Sequence, residues 1–214
     1  MSGITIEPYD LPTTVPVSTA GWRPHPGRAA LLIHDMQRYF VGFYARDGEL
    51  RRTLVGNIVR LRETADRLGI PVYYTAQPGS MTPEDRGLLQ DIWGPGMKAT
   101  PADRQVIDEL TPTPADLVLT KWRYSAFHRT DLLDRLRAAG RDQLIVCGIY
   151  AHVGCLVTAV EAFTHDIETF FVADAVADFG PDEHRLAVEY AARNCAVATT
   201  TSALAGQLEG AVVA

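Results

Sequence analysis

Six short apolar runs alternate with stretches of helical periodicity between Arg28 and Leu208, and few folds accommodate that order. The first, Arg28-Ala-Ala-Leu-Leu-Ile-His-Asp35, is continuously apolar and ends in a charge, as expected of a strand buried on both faces. Leu54, Ile58, Leu61, Ala65 and Leu68 then recur at helical spacing, Gly69 is placed to stop the helix, and Ile70–Ala76 reads as the next strand. The same pattern predicts strands over Leu117–Lys121, Gln143–Ile149, Ile167–Asp174 and Cys195–Thr199. It predicts helices over Thr130–Ala139, Gly154–His165, Asp182–Arg193 and Ser202–Leu208. The fold class implied is α/β, a single-domain three-layer α/β/α arrangement around a six-stranded parallel sheet with right-handed crossovers. An extended Pro-rich arm at 1–27 precedes the domain at 28–209. The Gly- and Pro-containing stretch 77–114 is too long for an ordinary connection and is expected to form a site wall or lid.

The 214 residues, 47% hydrophobic, suffice for one sizeable core. A net charge of -6 without a basic stripe argues against a nucleic-acid partner. No segment approaches the roughly 20 apolar residues of a membrane span, and MSGITIEPYDLPTT has no apolar stretch of signal-peptide length, so no membrane association and a cytoplasmic location are expected. Cys147, Cys155 and Cys195 are scattered among apolar neighbours, which suits reduced thiols, and none has zinc-ligand spacing.

In doubly wound sheets ligands sit outside the carboxyl ends of the strands, which here offer Asp35, Gln77, Lys121, Tyr150 and Asp174. Each has a bland reading. An Asp closing an apolar strand can simply cap the next segment, and a lone Lys at a strand end is more often solvated. Two opposite charges at strand ends are less easily dismissed, and Lys121 is followed by Trp122-Arg123-Tyr124. The turn Gly148–Gly154 leads into a helix whose free N–H groups suit a carboxylate, although its glycines can equally serve a tight turn and do not match GxGxxG. Trp93-Gly-Pro-Gly96 is most simply a turn, His34 a core histidine bonded to backbone, and Asp174 and Asp178 braces for the strand end and next helix. Cys155, at a helix start beyond a strand, has the placement of an activated nucleophile that Asp35 and Lys121 would complete.

The segments LLIHDMQRYF (31–40), TAQPGSMTPEDRGLLQDIWGPGM (75–97), LTKWRYSAF (119–127) and CGIYAHVG (147–154) resemble the isochorismatase-like hydrolase superfamily, in particular its isochorismatase branch with the hydrolases of siderophore and phenazine synthesis. The resemblance covers nearly the whole chain. The cysteine hydrolases of that superfamily carry their nucleophile at the position of Gly154. A shift of one residue at a helix start turns a side chain by about 100°, so Cys155 should face the core. The Asp-x-His metal ligands of nicotinamidases are missing after Asp35, so no metal and no cofactor are implied.

By resemblance the reaction is hydrolysis of the enolpyruvyl ether of 2-amino-2-deoxyisochorismate or isochorismate, a small chorismate-derived substrate, with release of pyruvate. The family implies Asp35 as general acid with Lys121 beside it. Gln77, Arg86, Tyr150 and the Gly154 backbone would hold the polar groups, while Phe40, Trp93 and Tyr124 would wall the ring. A homodimer is also implied. The chain as given leaves no room after its last helix for the carrier domain fused to some siderophore enzymes, and Gln77-Pro-Gly-Ser-Met81 is closer to the phenazine branch. Both favour the amino compound, with cross-reactivity. Readings that stay open are a siderophore-pathway isochorismatase, a cysteine amidase using Cys155, and a non-catalytic binding module on the same fold.

Overall fold

The centre of the sheet is β1 (Ala29–His34), every residue of which is buried, in keeping with its unbroken apolar run. A computed structural model describes residues 6–212. Around β1 stand β2 (Val72–Ala76), β3 (Leu117–Thr120), β4 (Gln143–Ile149), β5 (Glu168–Ala177) and β6 (Val197–Thr199), all parallel, in the order β3-β2-β1-β4-β5-β6. The chain leaves β1 toward β2 on one side and returns to β4 on the other. The crevice of such a sheet opens at the carboxyl ends of β1 and β4, where the strand order reverses.

Helices cover both faces. On one lie α2 (Glu49–Leu68) and, at the end of the chain, α9 (Thr201–Gly210), which bury Leu54, Ile58, Leu204 and Leu208 with Leu31 and Ile33. On the other lie α6 (Leu132–Ala138), α7 (Leu156–Thr164) and α8 (Pro181–Asn194), packing Leu136, Ala159 and Ala187 against Leu32 and Val146. Because side chains alternate across a strand, consecutive β1 residues feed opposite layers.

The predicted strands and long helices are present, with differences that matter for the site. Helix α2 starts at Glu49, before its first periodic apolar residue, and a short α1 (Arg38–Val41) precedes it. The stretch 77–114 folds into α3 (Pro83–Arg86), α4 (Leu89–Trp93), α5 (Pro101–Arg104) and a 3-10 turn at Asp108–Leu110. Thr82 caps α3 by accepting the Asp85 N–H at 3.2 Å, with Pro83 in its first turn. Strand β5 does not end at Asp174. Its register against β4 shifts between Val146 and Gly148, and it continues to Ala177. Helix α7 is preceded by a π-helical turn, Ala151–Cys155. The N-terminal segment lies against the domain, where the Tyr9 hydroxyl accepts the Asp178 N–H at 2.7 Å and Ser18 Oγ accepts the Ala198 N–H at 2.9 Å.

Candidate active site

Beyond β1 the backbone of Asp35 turns to φ +50°, a conformation that costs an L-residue energy but that Asp tolerates better than most. The turn aims the carboxylate at β2 and β3. Thr75 on β2 accepts the Asp35 N–H at 3.0 Å and donates its hydroxyl to Oδ1 at 2.6 Å, while Lys121, just past β3, donates from Nζ to Oδ2 at 2.9 Å. Both charged side chains are almost fully buried, 7% exposed for Asp35 and 4% for Lys121. Burial by itself raises the Asp35 pKa. The Lys121 ammonium and the Thr75 hydrogen bond outweigh it and hold the carboxyl below the ordinary range.

The pair lies in a cleft at the carboxyl ends of the strands, where ligands of such sheets sit. Phe40, Gln77, Arg86, Trp93, Tyr124, Tyr150 and Gly154 all line it with Asp35 and Lys121, so the residues that the family resemblance implied come together here. Arg86 reaches in from α3. Its Nε donates to the Gly94 carbonyl at 2.8 Å and its Nη1 stands 3.4 Å from Gln77 Oε1; burial lowers its pKa. Gln77 is fixed from behind by Gln37, which takes the Gln77 N–H at 2.8 Å and donates to its carbonyl at 2.9 Å.

Tyr150 lines the same cleft. Its hydroxyl donates to the Phe40 carbonyl at 3.0 Å, and its ring stacks on Phe179 with centroids 4.2 Å apart. Phe179 stacks in turn on Trp93 at 5.8 Å, and the Trp93 indole N–H donates to the Tyr124 hydroxyl at 2.7 Å. A continuous aromatic wall results. Sequence reasoning missed Phe179 because it ended β5 too early; the apolar continuation Ala175-Val-Ala177 was the available signal. It also left Arg123 unassigned. Arg123 lines the cleft too, held by the Asp85 and Trp122 carbonyls at 2.6 and 2.7 Å.

Asp174, offered as a crevice residue, does not line the cleft. It sits in the interior of β5 and accepts the N–H and hydroxyl of Thr201 at 2.7 and 2.9 Å, bracing the start of α9. Asp178 is a brace as expected: fully buried, it accepts the His152 N–H at 2.6 Å and the Phe179 N–H at 2.9 Å and so fixes the turn over the site. His34 is a core histidine, its Nδ1 3.0 Å from the Ile149 carbonyl, with a pKa lowered by burial to about 4. Cys155 packs in the core beside Leu32 and Ala159, away from the cleft, and burial pushes its thiol pKa well up, the reverse of an activated nucleophile. Among the described residues, no three His, Cys, Asp or Glu side chains cluster as metal ligands.

Cleft charge is the last element of the geometry. Asp35 is its only carboxylate, against Lys121, Arg86 and Arg123, and among the described residues neither arginine has an acidic partner within ion-pair distance. Guanidinium groups left with carbonyl partners alone, one buried and one half-buried, are suited to an anion.

Residues 29–203 match the model of the isochorismatase domain family. The chain is 57% identical over 204 residues to a phenazine biosynthesis protein PhzD of Pseudomonas fluorescens, covering 94% of this chain and 98% of that protein. It is 54% identical over 208 residues to an isochorismatase of Bacillus subtilis, covering 96% of this chain and 67% of that longer protein. Among solved structures, a cysteine hydrolase from Pseudomonas syringae superposes with a TM-score of 0.81 at 26% identity, covering 93% of this chain and all of the other. With its parallel sheet, its crevice between β1 and β4 and these relatives, the chain belongs to the isochorismatase family.

Proposed function

We propose that the protein hydrolyses the enolpyruvyl ether of 2-amino-2-deoxyisochorismate, and isochorismate as a second substrate, without cofactor, releasing pyruvate and the dihydro ring acid. One observation carries the reading: a buried, hydrogen-bonded carboxylate, Asp35, stands in the cleft while position 154, where a nucleophile would be needed for amide chemistry, holds glycine. A vinyl ether needs one acid. Asp35 protonates the terminal CH2 carbon, giving an oxocarbenium ion; water adds to that cation and loses its proton to the Asp35 carboxylate. The hemiketal then collapses: its hydroxyl becomes the pyruvate carbonyl, the bond to the former ether oxygen breaks, and the proton passes to that oxygen as the ring alcohol, so atoms and charge balance.

Asp35 must be protonated to begin, yet Lys121 holds it ionised in the free protein. The enolpyruvyl carboxylate resolves this by taking Lys121 as its own partner, which leaves Asp35 desolvated beside a like charge and raises its pKa. Arg86 and Gln77 take the ring carboxylate, the Gly154 backbone assists, and the wall of Phe40, Trp93 and Tyr124 holds the ring. The relative named for phenazine biosynthesis supports the amino compound, and one named a probable isochorismatase supports isochorismate. Three cations against one carboxylate favour the doubly anionic isochorismate as the second substrate. We assign the activity to phenazine or siderophore synthesis in the cytoplasm, and the active form to a homodimer, to be measured by light scattering. Among the described residues no helix is long and apolar enough to cross a membrane.

Coupling pyruvate release to lactate dehydrogenase with each compound tests the reading. Turnover of both, with kcat/KM higher for the amino compound, is expected. No pyruvate from either would overturn it.

A further inference from the structure

Glycine at 154 has a cause outside the cleft. A Cβ built on Gly154 would overlap Cε1 of His34 and stand 2.9 and 3.0 Å from its two ring nitrogens, closer than side-chain carbons approach. The collision is not with a mobile side-chain end. His34 is fully buried, its Nδ1 is 3.0 Å from the Ile149 carbonyl, and its Nε2 is 3.4 Å from the Thr158 hydroxyl, itself fixed by the Ala126 N–H at 3.0 Å. A carbonyl accepts only, so Nδ1 carries the proton and Nε2 is left to accept from Thr158. The backbone beneath is equally tight: His34 pairs with Gly148, whose own Cβ would stand 2.7 Å from the His34 nitrogen.

The ring also faces the reacting group. His34 Nδ1 lies 3.7 Å from Asp35 Oδ2, beyond hydrogen-bond range, and its single proton is committed to Ile149. It therefore fills space beside the carboxylate without donating to it or adding a charge.

We propose that His34 and Gly154 form a coupled pair that sets the reaction class of this site: the neutral imidazole occupies the place where a side chain at 154 would stand, closing the nucleophile position from behind and positioning Asp35. This rests on the reading of Asp35 as proton donor. Two consequences follow from the sterics. Restoring a thiol at 154 alone gives a side chain with nowhere to go. Any residue larger than glycine at 154 becomes acceptable only when position 34 is made smaller at the same time.

A double-mutant cycle tests the coupling. Gly154→Ala is expected to lower kcat for pyruvate release at least 100-fold, and His34→Val/Gly154→Ala to recover at least 10-fold of that loss. A double variant no better than the product of the two single effects overturns the proposal. A second readout does not depend on turnover. Iodoacetamide labelling at position 154, located by peptide mass, is compared in Gly154→Cys and His34→Val/Gly154→Cys, each checked for a cooperative melt. The double variant is expected to label at least 10-fold faster, because its side chain no longer meets the imidazole. Equal rates overturn the pair. Wild-type protein that releases no pyruvate sinks the substrate assignment instead, and the labelling arm still judges the pair.

Discussion

Lys121 Nζ, just past β3, reaches across β2 to donate to Asp35 Oδ2 at 2.9 Å, and solvent reaches almost none of either side chain. Removing one partner of such a pair leaves an uncompensated buried charge, which costs about 3–5 kcal/mol. Lys121→Met should lose roughly that much stability in urea denaturation, whereas Asp35→Asn/Lys121→Met should lose clearly less than the two single changes summed.

The pH dependence of stability separates two neighbours. His34 has its pKa lowered to about 4 in the folded protein from 6.5, so between those values the unfolded chain binds more protons. The stabilisation from keeping it neutral is full above pH 6.5 and is lost as pH falls through 6.5 toward 4, about 3 kcal/mol in all. Asp35 is also depressed, and its contribution is lost only at lower pH, from the ordinary carboxylate value down through its folded one. Melting temperatures between pH 3 and 8 should show His34→Val flattening the upper window and Asp35→Asn the lower one.

In the substrate complex the sign for Asp35 reverses. With its pKa raised by a bound carboxylate that has taken Lys121, kcat should be constant at low pH and fall as pH rises through a value well above the reference of about 3.9. A kcat profile governed by an acid of unshifted pKa contradicts the mechanism.

Cys155→Ala should retain activity within about threefold and iodoacetamide should not inactivate the wild type, since the thiol is buried and its pKa raised. Loss of turnover on this change would return the cysteine-amidase reading.

Much of this site is legible in the sequence, for a physical reason. Asp35 and Lys121 each end an apolar strand, and parallel topology sends all strand ends to one edge, so two charges far apart in sequence can be placed together without coordinates. What is not legible depends on irregular backbone. Helices of four or five residues such as α3 and α4 are too short to show a period, so how Arg86 and Trp93 enter the cleft had to be observed. The register shift that carries β5 past Asp174 moves the strand end to Ala177, with Asp178 and Phe179 just beyond it. The contact between His34 and Gly154 leaves no trace in either local pattern, because each reads as an ordinary strand or turn residue.

The aromatic wall and the guanidinium should divide between KM and kcat. Phe179→Leu removes the ring that Tyr150 and Trp93 both stack on and should raise KM several-fold, an aromatic pair contributing ~1 kcal/mol. Arg86→Gln should raise KM about 10- to 100-fold, as a hydrogen bond to a charged group contributes about 1.5–3 kcal/mol. Steady-state kinetics on each variant check both.

Whether Asp35 supplies the proton is decided most directly by pyruvate release from Asp35→Asn at saturating substrate, with folding confirmed by its melt. A general acid contributes about 100- to 10,000-fold, so kcat should fall by at least ~100-fold with KM little changed. A folded Asp35→Asn protein that keeps kcat within about tenfold of wild type would contradict the account.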